Sequence, residues 1–76
     1  MGRLENIVSK ILGIEPSEVI DSLSYHEIPS WDSLNHLELV TKIEKEYLIE
    51  LSIEEIMNMN NIKNIKDILS SKEINE

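Results

Sequence analysis

The triplet Asp-Ser-Leu occurs twice in one short stretch, as Asp21-Ser22-Leu23 and as Asp32-Ser33-Leu34. A serine beside a carboxylate can act as a nucleophile, carry a phosphodiester or cap a helix, and three common residues do not choose among these roles. The flanking residues do. Beyond Ser22 the chain reads Leu23-Ser24-Tyr25-His26-Glu27-Ile28-Pro29. Pro29 forbids a continuing helix, because it has no N–H to give and its ring collides with the preceding turn. Ser22 therefore belongs to a loop. Beyond Ser33 comes the longest helical pattern of the chain, with neither Gly nor Pro from Leu34 onward. Ser33 thus stands at a helix N-terminus, where unpaired backbone N–H groups and the helix dipole favour an attached or approaching phosphate. If one serine bears a phosphodiester, it is Ser33.

A hydrolytic reading would join Ser33, His36 and Asp32 as nucleophile, base and orienting acid. All three fall at one helix end, where side chains do not line up in series as a triad requires, and the sequence offers no oxyanion hole. No catalytic residue is assigned. His36 lies over the apolar side of its helix and reads as a packed, hydrogen-bonded histidine. His26 is a loop residue without a recognisable partner, and Trp31 reads as a lid anchoring the loop to the body of the fold. Glu54 and Glu55 are adjacent acids, but the alternating oxygens and central Gly of a calcium loop are missing, so no metal is expected.

The elements that must position Ser33 follow from periodicity. Leu4, Ile7, Val8, Ile11 and Leu12 form one helical stripe, and Gly13 follows where a left-handed cap is wanted. A first helix is predicted over Arg3 to Leu12. A second runs from about Leu34 to Tyr47, capped by Asp32 or Ser33. Ser52-Ile53-Glu54-Glu55 matches the capping box and predicts a short third helix. Asn61 can cap a fourth, whose face is Ile62, Ile65, Ile68 and Leu69. Between the first two helices, Gly13 to Trp31 holds both prolines and room for one short helical turn after Pro16. A loop that long in so small a chain is usually functional or mobile. The expected fold is all-α: one small antiparallel four-helix bundle, with three principal helices, one short one and a long first loop, as a single domain over residues 1–76.

The composition fits such a bundle. Thirteen Ile and nine Leu stand against three aromatic residues, and there is no cysteine to form a disulfide or a thiolate ligand. Stability must come from packing. Neither a membrane-length apolar run nor a signal-peptide pattern is seen, so the expectation is a cytoplasmic protein with no membrane insertion. The net charge is −8, and residues 13 to 62 carry eleven acids against two bases. That field repels nucleic acid and suits a basic protein surface, although an acidic surface can also serve solubility alone.

The second helix has more apolar surface than one stripe requires. Leu39, Val40, Ile43 and Tyr47 form an arc wide enough for a core face. Leu34, Leu37, Thr41 and Leu48 form a second arc, bordered by Glu38, Glu44 and Lys45. This is either a docking surface beside Ser33 or the flank of a wide buried face, and periodicity leaves both open.

With Asp32-Ser33-Leu34 opening that helix, after a long loop and before a short and then a final helix, the chain resembles the acyl carrier protein family, which includes peptidyl carrier domains. The likeness runs from Leu4 to about Leu69, and its key is Trp31-Asp32-Ser33-Leu34-Asn35-His36-Leu37-Glu38-Leu39-Val40. The resemblance implies a carrier and not an enzyme. In that family a phosphopantetheinyl transferase moves phosphopantetheine from coenzyme A onto the serine hydroxyl in a magnesium-dependent reaction. The arm's thiol then holds acyl, aminoacyl or peptidyl groups as thioesters, in fatty acid, polyketide or nonribosomal peptide biosynthesis. By position, Ser33 is the attachment site and Asp32 the adjacent acid. Leu34, Leu37, Glu38, Thr41 and Glu44 fall where the family contacts its partners. Those partners would be the transferase and loading or processing enzymes with basic docking patches, and the carrier would be a monomer. Ser30 and Trp31 depart from the Gly and small or aliphatic residue common before the Asp. Lys45 stands where an acid is frequent, and Asn61-Ile62 replaces a common Thr-Val. The rival reading is a noncatalytic acidic helical adaptor, bound through the same helix but never modified.

Overall fold

Among the described residues, four α-helices and one 3-10 turn make up the regular structure: α1 (Arg3–Leu12), the turn (Pro16–Glu18), α2 (Ser33–Tyr47), α3 (Ile53–Met57) and α4 (Ile62–Ser71). The computed structural model describes residues 2–74. The all-α bundle expected from the apolar stripes is the fold observed.

Each principal helix buries the stripe that its spacing marks. Leu4, Ile7, Val8 and Leu12 of α1, Leu39, Val40 and Ile43 of α2, and Ile62, Ile65 and Leu69 of α4 share one core. Ile11, Tyr47 and Ile68, which the same spacing marks, pack against that core half-buried. Full burial of one such side chain is worth about 1.5–3 kcal/mol, so these ten residues dominate cohesion. Helices α1 and α2 run antiparallel: Arg3 pairs with Glu46 at one end, and Ile11 lies beside Leu34 and Leu37 at the other.

The ends of the helices are set by three kinds of cap. Gly13 takes φ 67° and ψ 37° and donates its N–H to the Ser9 carbonyl, the left-handed stop expected after α1. Asn61 accepts from the Asn64 N–H at 2.7 Å and starts α4. Ser52 and Glu55 complete the capping box of α3 at 3.1 and 2.9 Å. Helix α2 ends without a glycine. Leu48 itself adopts φ 55° and ψ 50° and donates to the Glu44 carbonyl, as does Ile49. The sequence places Leu48 on the outer arc of α2; it is in fact the first residue beyond the helix, 90% exposed.

Helix α3 buries none of its own residues and is held by its flanks. Leu51 and Met59 on either side are buried, and Lys72 pairs with Glu55 at 3.1 Å. The long first loop is likewise stitched down. Val19, Leu23 and Trp31 enter the core. Antiparallel backbone hydrogen bonds from Tyr25 N to Asn60 O (2.8 Å) and from Ile62 N to Leu23 O (3.0 Å) tie the loop to the start of α4. Among the described residues, no helix is long and apolar enough to cross a membrane.

Candidate functional site

Ser33 is the first residue of α2, and its side chain is exposed. Asp32 is the N-cap: its Oδ1 accepts from the Asn35 N–H at 2.9 Å, and its carbonyl accepts from His36 N at 2.8 Å. The first turn of an α-helix leaves four N–H groups without helical partners. The Asp32 carboxylate satisfies that of Asn35, and its carbonyl starts the helical ladder with His36, which leaves the N–H groups of Ser33 and Leu34, beside the Ser33 hydroxyl, without an acceptor among the described residues. Two free N–H groups at the positive end of a helix suit a phosphodiester attached at that hydroxyl. Ser22, by contrast, lies in a turn within the long loop.

Ser33 Oγ also meets the phenol oxygen of Tyr25 at 3.0 Å. Sequence reasoning does not assign Tyr25 to the site. The loop brings it there through its bonds to Asn60, and its ring is fixed by three neighbours: stacked on His26 at 3.9 Å, tilted against His36 at 5.0 Å and edge-on to Trp31 at 6.3 Å. His26, without a predicted partner, thus has one. It holds that place with φ 69°, a left-handed conformation uncommon for a residue with a side chain.

Beneath this cluster, Trp31 is fully buried and donates its indole N–H to His36 Nδ1 at 3.1 Å, while His36 Nε2 lies 3.1 Å from the Ile56 carbonyl. An indole nitrogen can only donate, so Nδ1 is the acceptor and the imidazole proton sits on Nε2, directed at Ile56. Both ring nitrogens are engaged, which joins the loop, α2 and α3 through one histidine. Asn35 adds a 2.7 Å bond from its side-chain amide to the Ser30 carbonyl. The three residues of the hydrolytic reading therefore face three different ways. Ser33 meets Tyr25, His36 meets Trp31 and Ile56, and Asp32 meets the backbone of Asn35, so they form no relay.

The residues expected to contact partners divide. Leu34 and Leu37 are 69% and 58% exposed, and Glu38 and Thr41 are exposed beside them. They form an open surface leading away from Ser33. Thr41 returns its hydroxyl to the Leu37 carbonyl at 3.0 Å. Glu44 is different. It is half-buried, and its Oε2 accepts from the Leu51 N–H at 2.8 Å, bracing the turn between α2 and α3. The acidic border of the sequence-predicted docking arc is thus mainly Glu38.

Comparison with known proteins places the fold in a family. Residues 2–69 match the family model described as the phosphopantetheine attachment site. The chain is 33% identical over 70 residues to the acyl carrier protein of Buchnera aphidicola subsp. Schizaphis graminum, covering 92% of this chain and 89% of that one. It is 30% identical over 70 residues to polyketide-8 synthase acyl carrier protein 2 of Streptomyces avermitilis, covering 92% and 80%. Against the acyl carrier protein of Zymomonas mobilis subsp. mobilis it is 31% identical over 61 residues, covering 80% and 78%. A helical bundle matched by that model over residues 2–69 is of the phosphopantetheine-binding carrier class. The chain belongs to the acyl carrier protein family, whose prosthetic group is a covalently attached phosphopantetheine.

Proposed function

We propose that Ser33 is the attachment residue and that the chain is a single noncatalytic carrier domain, presenting acyl, aminoacyl or peptidyl groups to partner enzymes. The observation that carries this reading is the exposed hydroxyl of Ser33 at the N-terminus of α2, beside two backbone N–H groups with no protein acceptor. When bound, the group supplies a thiol on which cargo is held as a thioester, a function this cysteine-free chain has no side chain to perform. The chain's own part is to hold the hydroxyl at the surface, to offer N–H groups to the phosphodiester, and to keep the loop and α3 fixed around it through Trp31 and His36. Leu34, Leu37, Glu38 and Thr41 supply the surface that a phosphopantetheinyl transferase and the loading and processing enzymes would contact, with Glu44 at its half-buried edge. A basic patch on such an enzyme would be drawn to Asp32 and Glu38, exposed on either side of Leu34.

The test is intact mass after incubation with coenzyme A, magnesium and a promiscuous phosphopantetheinyl transferase. The wild type and Ser22→Ala should each gain one phosphopantetheine, and Ser33→Ala should gain none. Modification that survives in Ser33→Ala would move the site elsewhere. A wild type that stays unmodified, with its helical content intact, would favour the unmodified adaptor.

A further inference from the structure

We propose that the groove between α1 and α2, which shares Leu34 and Leu37 with the surface assigned above to the carrier's enzymes, also takes a partner protein's amphipathic helix that carries carboxylates around an apolar side chain. Its charge is opposite to that of the chain as a whole. One recess of about 420 Å³ is lined by the apolar Ile11, Leu34 and Leu37, by Glu38 and Thr41, and by Lys42 and Lys45. A second, of about 290 Å³, continues from it along Ile11 and Lys42 to Lys10.

The distribution of ion pairs points to the occupant. Of the seven cationic side chains, Arg3, Lys63, Lys66 and Lys72 pair with Glu46, Asp67, Asp21 and Glu55. Lys10, Lys42 and Lys45 have no acidic partner among the described residues, although the chain contains fifteen acids. All three are exposed, and all three line this continuous groove. Placement near helix C-termini, which favours cations, accounts for Lys10 and Lys45 in the last turns of α1 and α2, but not for Lys42. On the accessible side of α2 the charges facing solvent are Glu38, Lys42 and Lys45, because Glu44 is bound to Leu51 and Glu46 to Arg3. Two of these three charges are cationic, so the helix that is acidic by composition presents a mainly basic wall along this groove, with Glu38 as the acid on it. Lys42 and Lys45 are three residues apart, neighbours on the helix surface, and two carboxylates spaced by three or four residues on a partner helix would meet them. An apolar side chain between those carboxylates would reach Ile11 and Leu37.

The experiment uses the unmodified protein, so its outcome is independent of the chemistry at Ser33. Nitrogen-15-labelled protein is titrated at about 0.15 M salt, where distant acids are screened over roughly 8 Å, with two synthetic helical peptides. They share one leucine pattern, and one carries Glu where the other carries Lys. The Glu peptide should shift the amides of Ile11, Leu37, Lys42 and Lys45 ahead of all others, and the Lys peptide should leave them unmoved. Lys42→Glu with Lys45→Glu should weaken the Glu peptide by at least about tenfold, the range that loss and reversal of two charge contacts can produce. Lys42→Met with Lys45→Met, which keeps the apolar stems, should weaken it less but clearly. The proposal fails if the Glu peptide shifts α4 around Lys63 and Lys66 as strongly, or if both double variants bind it as the wild type does. Lysine-dependent self-association in sedimentation would assign the groove to a second copy instead.

Discussion

Around Ser33, single side chains divide between those that make the site and those that hold it. Tyr25 belongs to the first kind, since its hydroxyl is 3.0 Å from Ser33 Oγ. A serine hydroxyl has three staggered χ1 wells, and a hydrogen bond that favours one of them raises the fraction of time it points in a fixed direction. Tyr25→Phe removes that bond while leaving the ring against His26, His36 and Trp31. The expected result is a holo protein formed in full but more slowly, by no more than about threefold, the factor set by the three wells. Initial rates of phosphopantetheine transfer measure it, and an increase in rate would show that the phenol restrains the hydroxyl from reacting. Tyr25 is invisible to sequence reasoning because its position depends on the backbone pairing of the loop with Asn60 and Ile62, a pairing with no local signal. Ser33, Asp32 and the packed state of His36 could be read because each follows from its position on one helix. The inward bond from Glu44 to Leu51 could not, because it depends on how the chain turns after α2.

At the scale of elements, the start of α1 was legible only through its apolar stripe, but the starts of α2, α3 and α4 announced themselves through caps, as with Asp32, with Ser52 and Glu55, and with Asn61. The end of α1 did so through Gly13. The end of α2 did not, because a leucine occupies the left-handed position that normally calls for glycine. The strain at Leu48 is tolerated because the carbonyl of Glu44 receives two N–H groups there and Ile49 packs against the core. A side chain in this region costs about 1 kcal/mol or somewhat more relative to glycine. Since Leu48 is 90% exposed, removing its side chain sacrifices little packing. Leu48→Gly should therefore stabilise the fold by about 0.5–1 kcal/mol and raise the melting temperature by roughly 2–8 °C. Thermal unfolding followed by circular dichroism decides this. A lower melting temperature would mean that the entropy gained by the unfolded chain outweighs the relieved strain.

For the whole molecule, the question is how a chain of charge −8 coheres. Mutual repulsion among its acids is relieved on acidification, while the acids that are bonded in the folded state lose their contributions, so the overall acid response is a competition. Two carboxyls isolate the second effect. Hydrogen bonding and attraction from Lys66 hold Asp21 below the ordinary value of 3.8. The Ser52 backbone N–H, reinforced by Lys72, holds Glu55 below 4.5. Both groups release their protons more readily folded than unfolded. Each therefore contributes stability above its ordinary value and loses it as the pH falls through its lowered one. Lys66 is raised by the same bond to Asp21, so its share persists from neutral pH up through its ordinary 10.5 and is lost only above that. These contacts tie the long loop to α4 and α3 to the end of α4, joining segments that the apolar stripes alone do not connect. Asp21→Asn together with Glu55→Gln should lower the melting temperature at neutral pH. The gap from wild type should narrow progressively below about pH 4.5, as the wild-type carboxyls take up the protons that the amides mimic. Melting curves of both proteins across that range are the measurement. A gap unchanged down to about pH 2.5 would show that neither carboxylate's charge contributes to stability, and that shape and packing alone hold the loop and α3 in place.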